Sequence, residues 1–298
     1  MILSVQELEE LCQIAISAAM QAGGLIAKRA LEIGAVSLKP GRKSLASQVV
    51  TEVDILSQEY IVAALLPTCD RYDLALLAEE SVDDRKRLEK DNFWCIDPLD
   101  GTLPFVQGAP GYSVSIGLVS RLGVPQIGVV YDPVTQTLYH AIRGIGSFRN
   151  GIPWKVAKPS VTQVGHLSFF TDQSLLLHPL YATLAKEFER IALELGCNGV
   201  HFTAHGGGVL NACWVLENSP ACYFKFVNVK GGGGCLWDYA ATACLFAEAG
   251  GVACDLDGAT LDLNRPDSTF MNHRGVVFAS DREIVQRVIA LNQRITSS

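Results

Sequence analysis

The sequence predicts a layered α/β or α+β protein, and three observations carry that reading. Helical patterns come before a run of short alternating strands over Tyr112–Ile142, and strands and helices mix after it. The middle block alternates apolar and polar residues between short turns, which implies an antiparallel meander and not a βαβ repeat. Hydrophobic residues are 49% of the 298 and charged residues 18%, enough apolar matter for a large core and too much for a disordered chain.

Taken in order, Leu8, Leu11, Ala15, Ala19 and Ala22 recur on one face and predict a helix over Val5–Leu31. Further helical patterns cover Asp54–Leu66, Ser174–Leu195, Gly208–Glu217, Trp237–Ala249 and Arg282–Arg294. Strand patterns cover Leu74–Ala78, Phe93–Ile96, Tyr112–Val119, Gln126–Tyr131, Thr137–Ile142, Cys222–Val227 and Val276–Ala279. Asp132-Pro133 and Asn150-Gly151 are turn signals. A soft boundary near Lys158-Pro159 separates an N-terminal half, 1–157, from a C-terminal half, 158–298.

The net charge is −7, which argues against a binder of the nucleic-acid backbone. An acidic chain is also an awkward host for a small anion unless some carboxylates carry metal. No uninterrupted apolar run reaches the roughly 18 residues of a membrane span. Glu7, Glu9 and Glu10 arrive too early for a secretory leader. Nine cysteines, an odd number with no CxxC pair, read as reduced thiols in a cytoplasmic protein.

The densest chemistry lies in Phe93-Trp94-Cys95-Ile96-Asp97-Pro98-Leu99-Asp100-Gly101-Thr102. An apolar strand delivers Asp97 at its end, Pro98 fixes a turn, and Asp100 follows. Two carboxylates aimed into one pocket repel, and one is forced neutral unless a cation sits between them. Hard oxygen ligands suit Mg²⁺. Gly101 and Thr102 then offer amides and a hydroxyl to a phosphate beside the metal. Asp-x-x-Asp alone is a common spacing, and a capped strand-to-turn junction is its plainer reading. Three more apolar elements begin or end in acid: Thr51-Glu52-Val53-Asp54 at a helix start, Leu76-Leu77-Ala78-Glu79-Glu80-Ser81 at a strand end, and Trp237-Asp238 opening a helix. Each alone has an ordinary reading as a solvated strand end or a cap.

Together and in this order, Asp54, Glu79-Glu80-Ser81, Asp97–Thr102 and Trp237-Asp238 resemble the lithium-sensitive, magnesium-dependent phosphomonoesterases. Gly128-Val129-Val130-Tyr131-Asp132-Pro133 and Gly144-Ile145-Gly146-Ser147 match as well, and the resemblance spans about 5–295. That superfamily includes inositol monophosphatases and 3′(2′),5′-bisphosphate nucleotidases. The resemblance implies a layered αβαβα sugar-phosphatase fold, a homodimer, two or three Mg²⁺, a small phosphorylated substrate and inhibition by lithium. It implies that Glu79, Asp97 and the Leu99 carbonyl hold the first ion, and that Asp97, Asp100 and Asp238 hold the second. Glu79 would also face a looser third ion through waters. Thr102, paired with Asp54, would help polarise the attacking water, and the Gly101 and Thr102 amides would hold the phosphate.

The pattern departs in two places. Seven residues before Asp238, where many inositol monophosphatases have a glutamate that contacts inositol hydroxyls, stands Gly231, inside Gly231–Gly234. After Thr102 comes Leu103-Pro104-Phe105, which matches neither branch. Ser113-Val114-Ser115-Ile116-Gly117 is closer to the inositol branch. The missing glutamate tilts the reading toward a bisphosphate nucleotidase, with Lys225 or Lys230 meeting a second phosphate; an inositol-1-phosphate phosphatase is the alternative. An inactive binding protein on the same fold is a third reading.

Other motifs are weaker. Asp255-Leu256-Asp257-Gly258-Ala259-Thr260 nearly spells a phosphoaspartate motif, but Ala259 intrudes and too little chain follows. Cys197, His201 and His205 suggest zinc, yet on a strand residues four apart lie about 13 Å from each other. Gly144-x-Gly146-x-x-Arg149 fails the dinucleotide fingerprint at its last glycine. There is no Walker loop and no Gly-x-Ser-x-Gly elbow.

Overall fold

A computed structural model describes residues 2–37, 43–156, 165–227 and 234–296; for 33–37, 43–51 and 296 it describes the helical backbone alone. The expected boundary at Lys158-Pro159, Lys230 and Gly231–Gly233 lie outside the described residues.

Two sheets carry the molecule. The first has seven strands in the order β1-β2-β3-β4-β5-β6-β7. These are β1 Ala75–Ala78, β2 Asn92–Asp100, β3 Ser113–Ser120, β4 Pro125–Asp132, β5 Thr137–Ile142, β6 Gly146–Arg149 and β7 Ile152–Pro153. From β2 onward every neighbour is antiparallel, which is the expected meander; only β1 runs parallel to β2. The second sheet has five strands in the order β11-β12-β10-β8-β9. Its members are β8 Leu167–Phe170, β9 Val200–Thr203, β10 Ala221–Lys225, β11 Val252–Cys254 and β12 Val276–Ala279.

Eight α-helices and one 3₁₀ turn at Lys86–Leu88 complete the described chain, the α-helices being α1 Val5–Ser37, α2 Lys43–Tyr72, α3 Thr102–Gln107, α4 Gln173–Leu176, α5 Tyr181–Glu194, α6 Gly208–Glu217, α7 Leu236–Ala249 and α8 Arg282–Thr296. α1 and α2 cover one face of the first sheet, burying Leu8, Leu11, Ala15, Ala19 and Ala22 against its strands. α6 and α7 fill the space between the two sheets. α5 and α8 close the outer face of the second sheet. The stack is αβαβα.

α1 is the described helix long and apolar enough, by length and composition, to cross a membrane. Here its apolar stripe is a core face instead. α7 shows why the middle layer has no polar side: Tyr239, Ala240, Ala241, Thr242, Leu245 and Phe246 are all fully buried. A helix apolar all round needs partners on both faces. All nine cysteines are free thiols, eight of them buried.

α7 lies close on the first sheet because Gly117 and Gly128 pair across β3 and β4 and leave that face smooth. A Cβ at Gly128 would stand 2.2 Å from the Ala241 carbonyl oxygen, and one at Gly117 would stand 2.8 Å from the Ala240 Cβ.

Several boundaries differ from the sequence reading. α2 begins at Lys43, so Asp54 lies inside a helix and not at its start. Ser44 to Val53 contains no glycine or proline to stop the helix, and Val53 is buried in the core. α2 also continues through Pro67. Its last turn is anchored where Thr68 Oγ1 donates to the Leu65 carbonyl (2.6 Å) and accepts from Trp94 Nε1 (2.9 Å). The single helix expected over Ser174–Leu195 is two, α4 and α5, parted around Pro179, which lacks the N–H that a continuing helix needs.

Gly128→Ala is expected to destabilise the protein by about 1–3 kcal/mol through overpacking, read as a lower urea midpoint. An unchanged midpoint would mean that α7 does not rest on this glycine pair.

Candidate metal centre

The strand β2 does not stop at Ile96 but runs through Pro98 to Asp100. In a regular strand, residues three apart point to opposite faces. Here Asp97 pairs with Ser115 and Asp100 with Ser113, so one extra residue is inserted between them. This β-bulge turns both aspartates to one side. Asp238, in the first turn of α7, joins them from the middle layer. One carboxylate oxygen from each of Asp97, Asp100 and Asp238 lies within 4.8 Å of the others.

Each aspartate is fixed by backbone amides. The Leu99 N–H donates to Asp97 Oδ1 (3.0 Å), and the Cys235 N–H donates to Asp238 Oδ2 (2.6 Å). Asp100 receives two such bonds, from the Gly208 N–H on Oδ1 (2.9 Å) and the Val209 N–H on Oδ2 (3.0 Å). Asp100 thereby caps α6, whose own preceding residue offers no side-chain cap. The approach requires glycine next door: a Cβ at Gly207 would fall 2.2 Å from Asp100 Oδ2.

Helix α2 pins the remaining acid-bearing ends. Ser57 Oγ donates to the Pro98 carbonyl (2.8 Å). Gln58 Nε2 donates to Ser81 Oγ (2.9 Å), and Gln58 Oε1 accepts from the Glu80 N–H (2.9 Å). Glu79 follows β1 and reaches the same pocket, although it is not one of the three whose oxygens converge.

The pocket is a cavity of about 240 Å³ lined by both halves of the chain. Glu79, Asp97, Leu99, Asp100, Gly101, Thr102 and Asp238 all face it, so the sequence-derived set meets in one place except for Asp54. Asp54 is buried nearby, close enough for the charges of Glu79 and Glu80 to act on it. Its Oδ1 has no hydrogen-bond partner, so the expected pairing with Thr102 is not made through that atom. Sequence reasoning missed Asp172, Gln173, His205, Gly206, Gly207 and Gly208 on the pocket wall. The run His205-Gly206-Gly207-Gly208 was the available signal, since three glycines before a helix permit close approach.

The electrostatics follow from crowding like charges away from water. Burial, then the charges of Glu79, Asp100 and Asp238, hold the Asp97 carboxyl well above the carboxylate range. Burial and Asp238 raise Asp100 to about 8. Burial, then Glu79 and Glu80, raise Asp54 to about 8. Part of Glu79 is exposed, yet the protein around its carboxyl and the charge of Asp238 raise it to about 7. Three converging carboxylates, held by amides and short of countercharge, are a donor set that fits a hard divalent cation.

The chain matches the model of the inositol monophosphatase family over residues 7–297. The chain belongs to the inositol monophosphatase family. Human inositol monophosphatase 2 is 31% identical over 290 residues, 96% of this chain and 92% of that protein. Nus factor SuhB of Pasteurella multocida is 32% identical, covering 82% of this chain and 85% of its own. An inositol monophosphatase structure from Anabaena superposes with a TM-score of 0.68 at 25% identity, covering 96% of both chains. The family's members are magnesium-dependent phosphatases, and the buried aspartate cluster gives this member the acidic site that such chemistry uses.

The rival motifs resolve differently. Asp255 Oδ1 accepts from the Asp257 N–H (3.0 Å) and the Ala259 N–H (2.7 Å), so this aspartate organises a turn. Among the described residues Cys197, His201 and His205 form no metal-ligand cluster; His201 lies on β9 and His205 faces the aspartate pocket.

The raised carboxyls link metal, protons and stability. Acids whose folded pKa lies above the ordinary 3.8–4.5 stabilise the fold below about pH 4 and lose that contribution as pH rises toward about 8. Magnesium binds the deprotonated forms. The rise in Tm on adding Mg²⁺ to metal-free protein is therefore expected to be larger at pH 8.5 than at pH 5.5. Equal shifts by differential scanning fluorimetry would contradict this account.

Proposed function

We propose that this chain hydrolyses the phosphate ester of a small polyhydroxylated alcohol, with inositol 1-phosphate as the reference substrate and Mg²⁺ as cofactor. The observation that carries the reading is the convergence of Asp97, Asp100 and Asp238 in one buried cavity. The relatives named inositol monophosphatase support the inositol reading. The tilt toward a bisphosphate nucleotidase rested on Gly231, outside the described residues.

In this reading Glu79, Asp97 and the Leu99 carbonyl hold one ion, and Asp97, Asp100 and Asp238 hold the second. Magnesium bound there supplies countercharge to the acids and Lewis-acid polarisation of the ester and of water. In this reading Asp97 would be shared between the two ions, and its bond from the Leu99 amide helps to hold that carboxylate in place. Gly101 and Thr102 line the same cavity, with Thr102 opening α3, which supports a role for their amides in holding the phosphate. Asp54, buried beside Glu79 with its Oδ1 unpartnered, is available as a proton acceptor that acts with Thr102. Displacement by water needs no covalent phosphoenzyme. A homodimer in a cytoplasmic compartment belongs to the same proposal.

Phosphate release from inositol 1-phosphate is expected to require Mg²⁺ and to stop in excess EDTA. Activity that persists in EDTA would refute the assignment, and binding without turnover would support an inactive scaffold instead. Asp97→Asn is expected to lower kcat by about 100-fold or more at saturating Mg²⁺, since about 2.7 kcal/mol of transition-state stabilisation corresponds to that factor. Near-normal kcat would remove Asp97 from the shared position.

A further inference from the structure

A second cavity, of about 690 Å³, opens at the other end of α7 from the aspartates and shares no lining residue with their pocket. Asp238 stands in the first turn of that helix; Ala247 and Glu248, in its last turn, line the second cavity. The floor is apolar, since Ala243, Cys244, Leu261 and Leu263 are all buried there. Residues 122–125, at the turn between β3 and β4, form a wall. That turn is braced against the segment that carries Leu261 and Leu263. Buried Asn264 donates through Nδ2 to the Arg121 carbonyl (2.9 Å) and the Arg87 carbonyl (3.1 Å), and its Oδ1 accepts from Arg87 Nη1 (2.6 Å). Gly123 comes so close that a Cβ there would stand 3.3 Å from the Leu263 amide nitrogen. The cavity is therefore preformed, and its volume falls within the roughly 300–1,000 Å³ of clefts that bury small organic ligands.

Arg143, just after β5, and Arg282, opening α8, line this cavity as exposed residues. Among the described residues neither guanidinium makes an ion pair. Arg143 is close enough to Cys244 on the floor for its charge to act there. The two acids on the lining are engaged by amides: Glu248 Oε1 accepts from the Gly144 N–H (2.9 Å) and Asp262 Oδ1 from the Asn264 N–H (3.4 Å). The end of α7 calls for no cation either, because Lys155 Nζ donates to the Glu248 carbonyl and the Val156 N–H to the Ala249 carbonyl (3.0 Å). Thr260 adds a hydroxyl. Asp255 organises the turn before it, so the run that nearly spells a phosphoaspartate motif ends on this wall.

We propose that this cavity is a binding site for a small aromatic anion, separate from the aspartate centre. The floor of small and aliphatic side chains takes the ring. Arg143 and Arg282 take the acid group, since a guanidinium offers a planar fork of donors that matches an oxyanion and also stacks on aromatic faces. An apolar ring without a charge would leave both guanidinium groups in water, as they are in the empty cavity, and gain nothing from them.

The test is calorimetric titration of the Mg²⁺-loaded protein with 8-anilinonaphthalene-1-sulfonate, an aromatic ring system that carries one acid group. Wild type, Ala247→Trp and the double variant Arg143→Gln/Arg282→Gln are compared. Ala247 is exposed on α7, so its replacement fills the cavity without entering the core. Wild type is expected to show one saturable site per chain. Each variant is expected to raise Kd by about tenfold or more, the scale of one lost hydrogen bond to a charged group. The uncharged analogue N-phenyl-1-naphthylamine is expected to bind wild type about tenfold more weakly than the sulfonate. Absence of a saturable site in wild type would overturn the proposal. Variants that bind as wild type does would overturn it too, because the sulfonate then sits elsewhere. Equal affinity for the uncharged analogue would overturn the anion requirement and with it the role of the two arginines. Should Ala247→Trp fail to fold, the double variant, which changes only exposed residues, decides the location.

Discussion

Like charges crowded out of water are the constraint that organises this molecule. Asp97, Asp100 and Asp238 bring oxygens within 4.8 Å of one another in a mostly buried pocket. Nothing about that arrangement is favourable in the bare chain, because burial and mutual repulsion both oppose ionisation. The fold holds it through groups that cannot move away. Four backbone N–H groups, from Leu99, Gly208, Val209 and Cys235, are spent on the three carboxylates. The strain is electrostatic, and a bound divalent cation reverses its sign.

The layering follows from where those amides must come from. β2 belongs to the first sheet, α6 and α7 to the middle layer, and β10 with Lys225 to the second sheet. The site is therefore a junction of three layers, not a pocket within one. A middle layer this apolar has no stable existence outside the stack, since Tyr239, Leu245 and Phe246 need cover on both sides. Closing the core and assembling the site are the same event. The smooth Gly117–Gly128 face matters for the same reason: it sets the depth at which α7 rests, and α7 carries Asp238.

Net charge looked like an obstacle to an anionic substrate, and the structure localises it. The cavity wall gathers five acids and one lysine, so the acidity is a property of a place more than of the surface at large. Other acids are matched in ordinary ways, as Glu187 and Glu194 are by Arg190, Arg287 and Arg294 on α5 and α8, among others. The pocket acids have no such partners in sufficient number. That asymmetry is the electrostatic signature of a site built for cations.

The sequence by itself determined much of this. Periodicity placed the meander, the apolar faces of α1 and α7, and the acids at the ends of apolar runs, because side-chain patterning is local. Each of Glu79, Asp97, Asp100 and Asp238 was legible locally as an acid at the end of an apolar run, and the family resemblance is what joined them into one site. Other features were decided only in three dimensions. The bulge that puts Asp97 and Asp100 on one face depends on the register with β3, which no local pattern encodes. The helical start of Asp54 was misplaced because capping chemistry at Thr51–Asp54 competes with a longer helix that core burial of Val53 favours. Asp172 carries no motif and His205 belonged only to a zinc pattern that does not form among the described residues; they reach the cavity because β8 and β9 bring their ends beside it. Residues near in sequence share a period; residues joined by packing share nothing until the chain has closed around them.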